Sequence, residues 1–123
     1  MIGYITIGSN DLERAKVFYD ALFAGMEMKC LQASDHQVTW GKNWKTAPLL
    51  SVTIPYDGKA ATVGNGVMLA FQVESREKVD QLHALALQLG ASSEGAVGER
   101  GTRGFYAGYC RDLDGNKLNI HCN

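Results

Sequence analysis

The 123-residue sequence has little of what marks several large protein classes. Charge is nearly balanced, twelve Lys and Arg against thirteen Asp and Glu, for a formal net charge of -1. That balance leaves no electrostatic footprint for nucleic acid or for an anionic membrane. No apolar run approaches the roughly 20 residues that a bilayer-spanning helix needs. Residues 1–8 lack the basic start, apolar block and small-residue cleavage site of a secretory leader, and a mature cytoplasmic chain is expected. The three cysteines, Cys30, Cys110 and Cys122, are an odd number with no C-x-x-C pair. Neither a disulfide framework nor a thiolate zinc site is indicated, and reduced thiols fit a cytoplasmic protein.

What is present is one pattern written twice. Residues 2–8 form a β-rich run, and Ser9, Asn10 and Asp11 offer oxygens that cap a helix. Leu12, Ala15, Tyr19 and Leu22 then recur at helical spacing, and Gly25 is placed to end the helix. In the second half, residues 66–73 read as a strand, Ser75 as an N-cap, and Val79, Leu82, Ala86 and Leu89 as the apolar stripe. Gly90 follows as a C-terminal residue that accepts positive φ. Displacing one half by 64 positions lays Tyr4 on Met68, Asp11 on Ser75, Phe18 on Leu82 and Leu22 on Ala86. An internal duplication accounts for this.

Short β-like stretches follow each helix, at about 27–32, 37–42 and 48–54, then at about 93–97, 104–111 and 117–122. Asp112–Asn116 is a turn between the last two, because Asp, Asn and Gly tolerate the dihedrals required. The chain therefore reads as α+β, a single domain over 1–123 made of module 1–60 and module 61–123, each β-α-β-β-β. Pro55–Gly66 is the connection between them.

Three stretches carry a resemblance. ITIGSNDLERAKVFYDALF is similar to the first strand and helix of vicinal-oxygen-chelate proteins, the glyoxalase, bleomycin-resistance and dioxygenase superfamily, and GFYAGYCRDLDGNKLNI resembles their final hairpin. The middle, IPYDGKAATVGNGVMLAFQVESREKVDQLHALAL, resembles a glyoxalase-like branch. The resemblance implies a curved, partly open eight-stranded sheet with helices on its outer face, a concave pocket, and a homodimer. In metal-dependent members the ligands, typically two histidines and one or two glutamates, come from the first and last strand of each half.

Carried over by position, those ligands fall on Tyr4, Ser51, Met68 and Asn119, with Ser51 placed by matching PLLSV to NKLNI. None is His, Asp or Glu, whereas a hard or borderline divalent cation wants imidazole and carboxylate. No metal or other cofactor is therefore expected. His36 falls in a turn, His83 is expected on the surface of the second helix, and His121 is expected at a rim or interface.

Strand alternation assigns Tyr4, Thr6, Met68, Ala70, Gln72, Asn119 and His121 to the pocket, and Tyr109 joins them if the last hairpin closes symmetrically. Such a lining suits a small organic ligand, and the same side chains also suit a filled second core. Gly98–Gly104 has no Gly-Lys-Ser/Thr ending, so it is no phosphate loop. It reads as a solvated turn or as a flap whose Arg100 or Arg103 meets an acidic ligand. Three functions stay open. The first is metal-independent binding of a small organic molecule, as in the superfamily's drug-sequestering members. The second is a metal-dependent lyase, isomerase or dioxygenase related to lactoylglutathione lyase. The third is a dimeric interaction module with a filled pocket.

Overall fold

The computed structural model describes all 123 residues. The chain forms two compact units, Met1–Thr62 and Val63–Asn123. The first contains β1 (Tyr4–Gly8), α1 (Leu12–Ala24), β2 (Lys29–Ala33), β3 (Gln37–Gly41) and β4 (Leu49–Thr53). The second repeats the order with β5 (Leu69–Gln72), α2 (Arg76–Gln88), β6 (Ser92–Arg100), β7 (Phe105–Arg111) and β8 (Lys117–Cys122). The eight strands divide into two unclosed four-stranded sheets, ordered β1-β4-β3-β2 and β5-β8-β7-β6. In both, the first and last strands of the module pair in parallel and the others antiparallel.

Local chemistry fixes the helix ends. Asp11 is the N-cap of α1, its Oδ1 accepting from Arg14 N at 3.1 Å, and Ser75 caps α2 by accepting from Lys78 N at 3.1 Å. These bonds satisfy first-turn N–H groups that lack helical partners. Asn10 does something else. Its Oδ1 accepts from Ala61 N at 2.7 Å and its Nδ2 donates to Ala61 O at 3.2 Å, which ties the inter-module segment to the start of α1.

Each helix covers one face of its own sheet, α1 packing on β2, β3 and β4, and α2 on β6, β7 and β8. In the first unit, Phe18, Tyr19, Leu22 and Phe23 bury against Trp40, Val38, Leu50 and Val52. The Trp40 indole N–H, removed from water, donates to Asp20 Oδ1 at 2.8 Å, as a buried indole requires. In the second unit, Val79, Leu82, His83 and Ala86 face Cys110, Leu118 and Ile120. Burial pushes the Cys110 thiol up to about 11, with Asp112 adding to the shift, so it stays protonated and unreactive.

Three expectations from the sequence are corrected. His83 is not a helix-surface residue: it is 6% exposed, and its Nε2 lies 3.0 Å from Tyr109 O. The sheet admits the ring because Gly108 has no side chain; a Cβ there would lie 2.7 Å from His83 Cδ2 and 2.8 Å from Val97 Cγ1. Gly98–Gly104 is not one loop, since β6 runs on to Arg100 and only Gly101–Gly104 form the turn, both end glycines at positive φ. The fifth strand starts at Leu69 rather than at 66, because Gly66 takes φ +94° and Val67 N bonds back to Gly64 O at 3.1 Å.

Asp112–Asn116 is a tight turn. Asp112 Oδ1 accepts from Asp114 N and from Asn116 N, both at 2.9 Å, and Gly115 takes φ +88°. It sets the register that pairs Tyr109 with Asn119. Replacing Gly108 with Ala would overpack the His83 contact, at an expected cost of about 1–3 kcal/mol. Urea unfolding measures this, and adding His83→Ala to Gly108→Ala is expected to restore part of the loss, a non-additivity that two independent sites would not show.

Candidate functional site

One face of each sheet lies under its helix, which leaves the other for functional side chains. Strand pairing gives that face a matching row in each unit. In the first, Thr6 pairs with Ser51, and Ser51 with Thr39. In the second, Ala70 pairs with Asn119, and Asn119 with Tyr109. Ser51 and Asn119 are thus counterparts, each in the strand between the module's first strand and its third.

The first row is satisfied within itself. Ser51 is 2% exposed and its Oγ lies 2.7 Å from Thr39 Oγ1, while Gln37 Nε2 donates to both hydroxyls, at 3.1 and 3.3 Å. Thr6 is exposed and lines an open depression of about 350 Å³ with Thr53, Pro55, Asp57 and Ala61. Tyr4, at 68% exposure, is a surface residue.

The second row is not satisfied. Asn119 is 1% exposed, its Oδ1 lies 2.8 Å from His121 Nδ1, and its Nδ2 has no hydrogen-bond partner. Turning the amide over would exchange the roles and leave the oxygen unpaired instead, since His121 reaches only one of the two atoms. A buried polar group without a partner costs about 1–3 kcal/mol, and most such groups find one in protein or ordered water.

His121 lies beside the Phe105 ring, with centroids 5.0 Å apart, and its register partners are Gln72 on β5 and Ala107 on β7. Gln72 and Ala70 are exposed, so the β5 flank of the pair is open. Met68 stands one residue before β5 and is 42% exposed. Two cations stand over the Tyr109 ring, with Arg100 Cζ 5.5 Å and Lys117 Nζ 5.7 Å from its centroid.

Gln37, Thr39, Arg100, Phe105 and Lys117 lie on these faces outside the sequence-derived lining. Thr39 was accessible by alternation, since Val38 and Trp40 on either side of it are core. Lys117 follows from Asn119 by the same rule. Arg100 could not be assigned to the sheet while β6 was expected to end near 97.

The fold family implies a metal in many members, and these rows test whether one fits. The residues at the ligand positions, Tyr4 or Thr6, Ser51, Met68 or Ala70, and Asn119, are all neutral. Nowhere do three His, Cys, Asp or Glu side chains cluster in metal-binding geometry. Such a donor set does not match what a divalent cation requires, and no chemical step is assigned to one.

No protein-family model and no curated protein matches the sequence. Solved structures do. A glyoxalase/bleomycin resistance protein from Albidiferax ferrireducens T118 is 32% identical, with a TM-score of 0.88 over 100% of this chain and 98% of its own. A glyoxalase-related enzyme from Fulvimarina pelagi is 21% identical, with a TM-score of 0.78 over 100% of this chain and 88% of its own. A lactoylglutathione lyase from Agrobacterium tumefaciens is 19% identical, with a TM-score of 0.71 over 100% and 93%.

The two βαβββ modules with their unclosed sheets are the vicinal-oxygen-chelate fold. At 32% identity over its full length, the chain belongs to the glyoxalase/bleomycin resistance protein family.

Burial lowers the His121 pKa from its ordinary value of 6.5. The folded state therefore takes up this proton less readily than the unfolded chain. The resulting stability is present above pH 6.5 and is lost as pH falls through the lower folded value. No carboxylate faces the ring from β5 or β7 to oppose that shift. The melting temperature is expected to drop between about pH 7 and pH 5, and His121→Gln should flatten that part of the profile; an unchanged profile would contradict the assignment.

Proposed function

We propose that this protein binds a small organic molecule without a metal ion, on the face of its second sheet turned away from α2. The observation that carries the proposal is the Asn119 amide, an N–H donor that is 1% exposed and has no acceptor within the fold. A ligand oxygen beside it would supply the missing bond, and the exposed Ala70 and Gln72 leave the β5 side for its approach. Phe105 and the Tyr109 ring offer apolar area, from which affinity comes, while the amide fixes orientation.

His121 acts with Asn119. With its Nδ1–H donated to Asn119 Oδ1, the imidazole leaves Nε2 as an acceptor and polarises the amide, strengthening the remaining N–H as a donor. This is binding chemistry. The neutral rows assign no reacting group, so the proposal stops at recognition.

Asn119→Leu separates function from stability. It removes an unsatisfied buried group and fills a similar volume, at the loss of the bond to half-buried His121, so unfolding free energy should change by no more than about 1 kcal/mol. A thermal-shift panel of small aromatic acids, phenols and amides, run in EDTA, is expected to raise the melting temperature of the native chain and not of Asn119→Leu. Shifts that appear only when metal is supplied, or that persist equally in Asn119→Leu, would contradict the proposal.

A further inference from the structure

The side chains sharing a face with Asn119 are rich in donors and poor in acceptors. Lys117, Asn119 and His121 alternate onto one side of β8, and Tyr109, the register partner of Asn119, lies next to them on β7. Over the Tyr109 ring stand Arg100 and Lys117, each within 6 Å of its centroid, the range of a cation–π contact. The Arg100 guanidinium is held there by backbone oxygens, its Nη2 donating to Ala96 O at 2.6 Å. Neither cation is ion-paired.

The nearby carboxylates bond other groups first, and Glu94 acts on Lys117 only through its longer-range charge. Glu94 bonds Arg111 Nε at 2.6 Å, and Glu99 bonds Arg76 Nη2 at 2.6 Å. Asp112 turns its oxygens onto its own loop, to the backbone of Asp114 and Asn116 and to the Asn116 amide. Two like charges gathered at one ring repel each other, and an aromatic ring offsets only part of that. An unfilled amide donor beside them adds a third group that wants an acceptor. A neutral ligand would satisfy the amide and leave the cations as they are; an anion satisfies both.

We infer that the ligand of this face is an anion with a planar body, a small aromatic or unsaturated carboxylate, held by the Asn119 N–H, Arg100 and Lys117 around Tyr109. This rests on the metal-independent binding proposed above and narrows it to one chemical class. The carboxylate oxygens meet the amide and the cations, and the planar body lies against Tyr109 or Phe105. Arg100 and Lys117 set specificity for charge, while Asn119 supplies the directional bond.

The test is calorimetric titration of the intact chain, in EDTA and low salt, with benzoate and with benzamide. The two have the same shape and differ in charge. Benzoate is expected to bind at least about tenfold more tightly, the ratio that one charge-assisted contact supports. Lys117→Gln and Arg100→Gln should each weaken benzoate by about three- to tenfold and leave benzamide unchanged, with circular dichroism and melting temperature confirming that both variants fold. Raising the salt should weaken benzoate binding as well.

Benzamide binding as tightly as benzoate overturns the inference, as does unaltered benzoate affinity in the two variants. Failure of both compounds to bind at up to about 10 mM overturns it too. Metal-independent binding then stands or falls separately, on whether phenols or neutral amides shift the native chain and spare Asn119→Leu.

Discussion

A four-stranded sheet has two faces, and each module of this protein has one helix to cover them. The face turned away from the helix is treated differently in the two modules. Under the helices the solution is ordinary burial: an aromatic cluster of Tyr19, Phe23 and Trp40 in the first module, and aliphatic packing around His83 in the second. On the other face the two modules diverge. Thr39, Ser51 and Gln37 satisfy one another, and that row is self-contained. Asn119 has one bond to His121 and one atom without a partner, and its row is incomplete.

The modules differ under the helices as well. A histidine in α2 can reach the Tyr109 carbonyl because Gly108 leaves room for its ring. In α1 the position 64 residues earlier is Tyr19, whose ring instead packs on Trp40 at a centroid distance of 5.7 Å. One duplicated frame thus supports two different interiors, and the strand register is the part held in common. That register pairs Thr6 with Ser51 and Ala70 with Asn119 at equivalent points.

Much of this was legible in the sequence, for identifiable reasons. Helix caps at Asp11 and Ser75 and the turn at Asp112–Asn116 are local devices, set by side chains within a few residues of the groups they bond. The inward position of His83 was also written there, because the 64-residue displacement lays it on the stripe residue Tyr19. The helix's own stripe of Val79, Leu82, Ala86 and Leu89 does not include it. The length of β6 was not legible: SSEGAVGER has two glycines and no apolar alternation, and it becomes a strand through bulged pairing with β7. That missing length concealed Arg100. The neutral character of Ser51 and Asn119 could be read from the chain, whereas the orphaned Nδ2 could not, since burial and partnership arise only from tertiary packing.

Family membership supplies the fold, and the residues on the open faces decide what it can hold. Lactoylglutathione lyase from Agrobacterium tumefaciens shares the architecture at 19% identity, a level at which the site must be argued from its own groups. Those groups are hydroxyls, amides, one imidazole and two cations, a set unlike the several imidazoles and carboxylates that a divalent metal prefers. The most direct test is equilibrium dialysis of chain purified without chelators against zinc, nickel, manganese and iron, with bound metal measured by mass spectrometry. Far less than one equivalent of each is the result this account predicts; a stoichiometric ion that Asn119→Leu releases would contradict it.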